Sequence, residues 1–284
     1  MKLSSPKADI YVPSGMEEGK ALARTTHLCI AAHQDDTEIF AYHGIISCFG
    51  KSDKHFSNVT VTDGAGSPRA GLYASYSDQE MQDIRRQEQR KAAMIGEYSI
   101  QIQLSYPSSI VKNPAAPDVV DDLCAILTGI EKPLEAVYLH NPADKHDTHV
   151  STMLRAIAAL RKLPKNKQPA KVYGCEVWRD LDWLNDDEKQ PLATNAAPAV
   201  AAALLGVFDS QISGGKRYDL AALGRRVSNA TFYASHACDT CDSMTYAMDL
   251  TPLVKDPSLS VADYTLAAVE RFKNDVKSKL TKLG

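Results

Sequence analysis

The sequence predicts an α/β fold in which helices cover both faces of a mostly parallel sheet. Short apolar runs rich in β-branched residues alternate along the chain with longer amphipathic runs. The apolar runs end in polar or glycine-rich turns, and no repeat or low-complexity segment is visible. Strands that alternate with helices are typical of βαβ units.

Five apolar runs have the length and composition of strands. They are Thr26–Ala32, Ser57–Thr62, Ile100–Leu104, Ala136–His140 and Lys171–Val177. Four runs with helical periodicity lie between them: Thr37–Cys48, Ser77–Ile95, Pro117–Leu127 and Thr148–Leu163. In the second helix, Ser77 or Asp78 can cap the N-terminus and Gly96 can end the helix.

Two stretches depart from this alternation. Leu160–Lys171 is basic and contains prolines, which predicts an exposed connecting loop. Residues 180–215 are acidic at first and then rich in proline and alanine. They form either an inserted lid or interface segment, or a helix at the edge of the sheet. No clear linker is visible, so we predict a single domain over residues 1–284.

Composition and charge argue against several classes of protein. The 284 residues include 32 Lys+Arg and 35 Asp+Glu, a net charge of −3, which gives no basic excess for nucleic acid. No apolar run is long enough for a bilayer and the N-terminal residues do not resemble a secretory signal. We therefore expect no membrane insertion and a cytoplasmic location. Six scattered cysteines indicate reduced thiols rather than a disulfide framework.

Three polar clusters come directly after predicted strands, where open α/β sheets carry their binding sites. They are HQDDTE at 33–38, TDGAGSPRAG at 62–71 and HNPADKHDTH at 140–149. These three clusters are the candidate functional segments.

The first cluster combines an imidazole with carboxylates. His33 and a nearby carboxylate suit a borderline divalent cation such as zinc, and a second carboxylate can act as a general base toward metal-activated water. The alternative is a capped helix start, with Asp35 or Asp36 as the N-cap and Glu38 in the first turn.

The third cluster places His146 and His149 three residues apart at a predicted helix start, so both can face the same space. His140 and Asp144 lie just before them. One histidine can bind a metal while the other stabilises developing charge. An H-x-x-H pair alone is more typical of a surface, but the two clusters together offer three ligands and an open position. That combination is typical of catalytic zinc.

These motifs resemble those of a known family. AHQDDTE is similar to the AHPDDxE motif of the PIG-L/LmbE-like zinc-dependent N-deacetylases, and HDTH is similar to the family's HPDH motif. TDGAGSPRAG resembles the loop after the second strand, and RRQEQRKAAMIG resembles a helix with an R-x-x-E pattern. YASHACDT and MDLTPL resemble the C-terminal segment. The resemblance covers roughly residues 26–250.

The resemblance implies a role for each matching residue. His33, Asp36 and His149 would bind zinc, Asp35 would be the general base, and His146 would stabilise the oxyanion or protonate the leaving amine. Four further residues would contact the substrate or supply polar groups near it: Arg69, Arg85, Asp144 and His236. For an arginine on a helix the alternative is a solvated charge.

The sequence departs from the family pattern at two positions. Gln34 replaces the usual Pro, which affects the rigidity of the turn because proline fixes φ. Thr148 stands where HPDH has Asp. In relatives that Asp orients the catalytic histidine, so here Asp147, Asp144 or neither orients His146.

The resemblance further implies a Rossmann-like three-layer α/β/α sandwich with Zn2+ at the carboxyl edge of its sheet, although other divalent metals are compatible with His and Asp ligands. The expected activity is hydrolysis of the N-acetyl group of a small N-acetylated amino sugar or glycoside, in a possible homo-oligomer. A hydratase or other amidase on the same fold and an inactive metal-binding scaffold are the alternatives. Cys238 and Cys241 form a single C-x-x-C, interpreted as structural or incidental rather than as a redox or zinc motif.

Overall fold

An eight-stranded sheet runs through the computed structural model, which describes residues 1–284. The strands are β1 (Asp9–Tyr11), β2 (His27–Ala31), β3 (Phe56–Thr62), β4 (Ile100–Tyr106), β5 (Ala136–His140), β6 (Lys171–Cys175), β7 (Lys189–Ala193) and β8 (Met244–Asp249). Their order across the sheet is β1-β4-β3-β2-β5-β6-β8-β7.

The five inner neighbours β4, β3, β2, β5 and β6 pair in parallel, whereas β1 and β8 pair antiparallel to their neighbours and β7 pairs antiparallel to β8. These five parallel strands are the ones that the sequence predicts. The predicted α/β class with a mostly parallel sheet is confirmed.

Twelve α-helices accompany the sheet. They are α1 (Glu18–Ala23), α2 (Asp36–Phe40), α3 (Tyr42–Cys48), α4 (Asp78–Ile95), α5 (Ser108–Lys112), α6 (Asp118–Thr128), α7 (Asp147–Arg161), α8 (Pro198–Gly206), α9 (Asp209–Ile212), α10 (Tyr218–Phe232), α11 (Thr251–Lys255) and α12 (Val261–Leu283). None of them combines the length and apolarity needed to cross a membrane.

Side chains of the inner strands pack into two separate hydrophobic cores. In β2, Leu28 and Ile30 pack into a core of 35 buried residues, while Cys29 and Ala31 pack into a second core of 19. Successive side chains of a strand point to opposite faces, so the two cores lie on opposite faces of the sheet. Burial on both faces leaves β2 and β5 almost continuously apolar, whereas β3 and β4 carry buried polar side chains such as Asn58 and Gln101 between their apolar residues.

The predicted helix Thr37–Cys48 is interrupted at Ala41 and forms α2 and α3 instead. Arg226 of α10 donates hydrogen bonds to the carbonyl oxygens of Glu38 and Ile39, at 2.6 and 3.0 Å. A buried guanidinium thus satisfies carbonyls at the end of α2 that a continuous helix would pair internally.

The expected loop Leu160–Lys171 is partly wrong, because its first residues continue α7. Leu160 is buried in the larger core, and Arg161 donates to the carbonyl oxygens of Leu253 and Leu259 at 2.6 Å each. A 3-10 turn follows at residues 165–167. The last turn of α7 is thus held by contacts with the segment after β8, and the helix ends at Arg161, two residues before the end of the predicted helical run.

Residues 180–215 contain an edge strand and two helices, β7, α8 and α9. The strand pairs with β8, and α8 packs beside α2 and α4. A role as a lid or interface stays a prediction, as does the single-domain boundary at residues 1–284.

Replacement of Gly44 by Ala should destabilise the fold. A Cβ at this position of α3 would lie 2.8 Å from Cζ of Tyr138 and 2.9 Å from Cε2 of Phe56, and such overpacking costs about 1–3 kcal/mol. Gly224→Ala in the exposed face of α10 is the control, because a Cβ there meets nothing within 4 Å. We expect it to be neutral or stabilising by up to about 1 kcal/mol. Urea denaturation measures both variants, and equal stabilities would contradict the packing.

Candidate metal centre

The three polar segments that follow β2, β3 and β5 meet at the carboxyl ends of these strands and surround a pocket of about 430 Å³. Only 4 of its 21 lining residues are hydrophobic, so the pocket is suited to a polar ligand. Six of the predicted site residues line it: His33, Asp35, Asp36, Arg85, His146 and His149.

The turn after β2 is held in an unusual backbone conformation. Asp35 has a φ of 97°, a region that non-glycine residues occupy rarely and Asp more often than most. Its N–H donates to Oε1 of Gln89 on α4 at 3.3 Å, and Oδ2 of Asp36 accepts the N–H of His33 at 2.8 Å. Gln34, which stands where the family has Pro, donates to the carbonyl oxygen of Thr62. Side-chain hydrogen bonds thus stabilise this turn.

Three predicted ligand atoms converge at the bottom of the pocket. Nδ1 of His33 lies 3.2 Å from Oδ2 of Asp36 and 3.1 Å from Nε2 of His149, and the last two atoms are 3.4 Å apart. Ligands bound at about 2.0–2.1 Å in a tetrahedral site lie about 3.3–3.4 Å from each other. The spacing of these donors therefore fits a small divalent cation.

Burial influences how the ligand residues ionise. It lowers the pKa of His33 to about 4, which favours the neutral imidazole that a metal requires. Burial alone would raise the pKa of Asp36, but the neighbouring imidazoles of His149, His140 and His33 outweigh it and hold that pKa below its usual range. A neutral imidazole and an ionised carboxylate are the metal-binding forms of these side chains.

Two overlapping groups of side chains are able to hold a metal, and they share His149. One is His33, His146 and His149, and the other is Asp36, His140 and His149. Nε2 of His140 already accepts the N–H of Ala32 at 2.9 Å, so its lone pair is engaged. The donor set that the sequence predicts, His33, Asp36 and His149, draws on both groups and has the tetrahedral spacing described above.

His146 is the N-cap of α7, where its Nδ1 accepts the N–H of Thr148 at 3.3 Å. In the neutral ring the proton then resides on Nε2. No carboxylate is hydrogen-bonded to this imidazole. Of the alternatives Asp147, Asp144 or neither, the geometry favours neither.

Asp144 is placed behind a candidate metal ligand. Its Oδ1 lies 3.5 Å from Nδ1 of His149 and accepts the N–H of His146, while Oδ2 accepts the N–H of Trp178. A carboxylate that faces the outer nitrogen of a ligating histidine fixes its ring and tautomer. The side chain of Asp144 is buried and does not line the pocket, so its position is that of a support for His149, and its contact with a substrate stays a prediction.

Arg85 is buried rather than a solvated helix charge, because only 4% of its side chain is exposed. It donates to the carbonyl oxygens of Gln34 and Gly64 and lies 3.8 Å from Oδ1 of Asp35. Burial raises the pKa of Asp35 well above its usual range, and the Arg85 guanidinium partly opposes this shift. A raised pKa suits a carboxylate that must accept a proton.

Two further predicted substrate residues, Arg69 and His236, lie outside the lining of the pocket. Nη2 of Arg69 donates to the carbonyl oxygen of Ala65 and to Asp78, whereas its Nε has no hydrogen-bond partner. His236 is exposed in the segment before β8 and does not line the pocket either. Cys238 and Cys241, in the same segment, are free thiols.

Sequence reasoning missed an aromatic side of the pocket. Trp178 follows β6 and meets the ring of Tyr218 edge-on at 5.9 Å, while Nζ of Lys216 lies 4.7 Å from the centre of the indole. All three residues line the pocket. Trp178 comes directly after the predicted strand Lys171–Val177, just as the three polar clusters come directly after their strands. This position in the sequence was the available signal.

Comparison with known proteins defines the class to which this fold and site belong. Residues 28–160 match the family model described as PIG-L: GlcNAc-PI de-N-acetylase. No curated protein matches the sequence as a relative. The predicted resemblance to this family is confirmed over residues 28–160.

Solved structures show the same fold. N,N'-diacetylchitobiose deacetylase from Pyrococcus horikoshii is 19% identical, with a TM-score of 0.61 over 81% of this chain and 85% of that one. 4-Carboxy-2-hydroxymuconate hydratase from Pseudomonas putida is 17% identical, with a TM-score of 0.57 over 80% and 96%. The A40926 pseudoaglycone deacetylase is 14% identical, with a TM-score of 0.53 over 80% and 98%.

Metal binding should depend much more on His149, which lines the pocket, than on His140, which does not. We expect His149→Ala to weaken zinc binding by about a hundredfold or more because it removes one of three ligands. The zinc affinity of His140→Gln should stay within about tenfold of that of the parent, since the amide oxygen can still accept the Ala32 N–H. Equilibrium dialysis with elemental analysis measures both. Equal losses in the two variants would indicate an ion held by the Asp36, His140 and His149 group instead.

Proposed function

We propose that this protein is a metal-dependent amidohydrolase that removes the N-acetyl group from an N-acetylated amino sugar or glycoside and releases acetate and a free amine. The observation that carries the proposal is the triangle of donor atoms from His33, Asp36 and His149 beside the separate buried carboxylate of Asp35. A purely structural metal site has no use for a second carboxylate. The family match at residues 28–160 supports the same activity.

His33, Asp36 and His149 would hold the cation, with zinc as the expected ion. When bound, a divalent ion supplies Lewis acidity that polarises an amide carbonyl and lowers the pKa of water. One structural neighbour, a teicoplanin deacetylase, was solved in a zinc-inhibited form. Elemental analysis of the purified protein should therefore identify the ion that this chain binds before zinc is added.

Asp35 is the proposed general base. Its carboxylate lines the pocket next to the ligand residue Asp36, and the contacts of Arg85 and Gln89 hold its turn in place. It would take the proton from the attacking water as the carbon–oxygen bond forms. The same carboxyl group, once protonated, can return the proton to the departing nitrogen.

His146 is proposed to stabilise the oxyanion. Because its Nδ1 accepts the N–H of Thr148, the neutral ring has an Nε2–H available for the pocket. A donor of this kind contributes about 3–4 kcal/mol to transition-state stabilisation in other hydrolases. Proton delivery by this histidine would require a second proton on a ring without a carboxylate partner.

The pocket supports a sugar as substrate. Polar residues dominate its lining, and one side carries the rings of Trp178 and Tyr218. Aromatic rings offer a flat apolar surface for the C–H face of a pyranose, while the polar lining can bind its hydroxyl groups. Arg85 contributes to the positive side of the pocket, but its donors hold the protein backbone.

Asp35→Asn should retain the metal and lose turnover. The amide preserves the size of the side chain and tolerates positive φ, but it cannot accept a proton from water, so kcat should fall by about 10²–10⁴. Acetate release from a panel of N-acetylated sugars measures the activity, and elemental analysis measures the metal. Gln79→Glu, a matched change of charge on the exposed face of α4, is the control and should leave both unchanged.

An Asp35→Asn protein that still releases acetate at the parental rate would contradict the assignment of the base. Should the parent bind zinc tightly and release no acetate from any sugar, the hydratase reaction of the second structural neighbour becomes the candidate to assay, by loss of an unsaturated chromophore. A parent without bound metal would contradict the proposal as a whole.

Trp178→Ala should raise KM for the sugar more than it lowers kcat, because the indole forms an aromatic wall of the pocket and offers neither a metal ligand nor a proton acceptor. The loss of one aromatic platform corresponds to about a five- to fiftyfold increase in KM. Trp183→Ala is the control, since that indole packs against the larger core and does not line the pocket. A fall in kcat at unchanged KM would show that Trp178 acts on the reacting centre instead.

A further inference from the structure

The C-terminal helix α12 exposes an apolar stripe along its length. It is 23 residues long, and its inner face packs against the larger core through Val261, Tyr264 and Ala268. The large apolar side chains on its outer face are between 39% and 82% exposed. They are Leu266, Val269, Val276, Leu280 and Leu283.

The stripe has the spacing of a coiled-coil seam. With Leu266 at heptad position a, Leu280 also falls at a position, and Val269, Val276 and Leu283 fall at d positions. Lys273 occupies the a position between Leu266 and Leu280. An amphipathic helix that only covers a globular core has one apolar face. In α12 the exposed stripe lies beside the packed side and widens the apolar surface, and apart from Lys273 it has the 3.5-residue repeat that packs against another helix.

We propose that α12 pairs with α12 of a second copy of this chain, in antiparallel orientation, and forms a symmetric homodimer. An antiparallel seam places a positions opposite d positions. Leu266 then faces Leu283 of the second copy, and Val269 faces Leu280 of the second copy. The same patch serves both copies, as a two-fold interface requires.

The charges on α12 select the antiparallel orientation. Glu270 and Lys277 both occupy position e, beside the seam, and antiparallel pairing brings Glu270 of one copy next to Lys277 of the other, twice in each dimer. Asp263 and Glu270 make the first half acidic, while lysines dominate the second half. Parallel pairing would instead place Lys273 directly against Lys273 of the second copy and leave Glu270 opposite a threonine.

The present contacts of these charges are compatible with the dimer. Glu270 forms an exposed ion pair with Lys273 on its own helix, at 3.1 Å, and exposed pairs of this type contribute little. Lys277 has no carboxylate within ion-pair distance. Residues of α12 do not line the pocket after β2, so dimer formation and the reaction at the pocket are separable.

The test is sedimentation equilibrium of the purified full chain over a wide range of protein concentrations, together with circular dichroism to check that each variant folds. We expect a dimer that Leu280→Glu weakens by about a hundredfold or more. Ser278→Glu places the same charge on the same exposed turn but away from the seam. Its dissociation constant should stay within about threefold of that of the parent. Lys277→Glu should weaken the dimer, and the double variant Glu270→Lys with Lys277→Glu should restore it, because the swap regenerates both intermolecular pairs.

Three results would overturn the proposal. The first is a parent that is monomeric at all concentrations. The second is an oligomer that Leu280→Glu does not weaken, which would transfer the interface to another surface such as residues 180–215. The third is a monomer whose α12 binds vesicles of anionic phospholipid in a Leu280-dependent manner, which would show that a lipid surface covers the stripe.

Discussion

The arrangement of the site depends on the electrostatics of one buried carboxylate. Oδ2 of Asp36 lies within 3.5 Å of a nitrogen on each of three histidines, His33, His140 and His149. An ionised carboxylate in a buried position is stable only with compensating positive charge or hydrogen bonds. This requirement brings the turn after β2 and the start of α7 together, although 113 residues separate Asp36 from His149. A divalent cation would also supply the positive charge that the buried Asp36 carboxylate requires.

Helix α4 supports this carboxylate cluster from behind. Arg85 holds the turn after β2 against the loop after β3, Gln89 binds both the N–H of Asp35 and a carboxylate oxygen of Glu38, and Glu88 accepts two hydrogen bonds from Ser210. Burial raises the pKa of Glu38 to about 7. One face of α4 therefore carries buried polar groups that hydrogen-bond to the segments around the proposed active site.

The reaction and the proposed assembly occupy different parts of the molecule. The pocket gathers residues from the ends of the parallel strands and from the segment before α10, whereas α12 follows the last strand and rests on the larger core. A change in the apolar stripe of α12 can therefore alter association without altering the pocket. Trp178 is connected to the metal side through Asp144, whose two carboxylate oxygens bind the Trp178 N–H and face His149. Asp144 thus links the side of the pocket proposed to bind the sugar to a candidate metal ligand.

The sequence by itself determined the five parallel strands and the positions of both His/Asp motifs at strand ends, because strand periodicity and ligand chemistry are local properties of the chain. It did not predict β1, β7 and β8, which are short or lie at the antiparallel edges of the sheet and depend on pairing with distant strands. The tertiary structure alone decided that Arg85 is buried, that Asp144 supports His149, and that Trp178 and Tyr218 line the pocket. Each of these outcomes depends on which distant segments the sheet order brings together, and a local pattern does not contain that order.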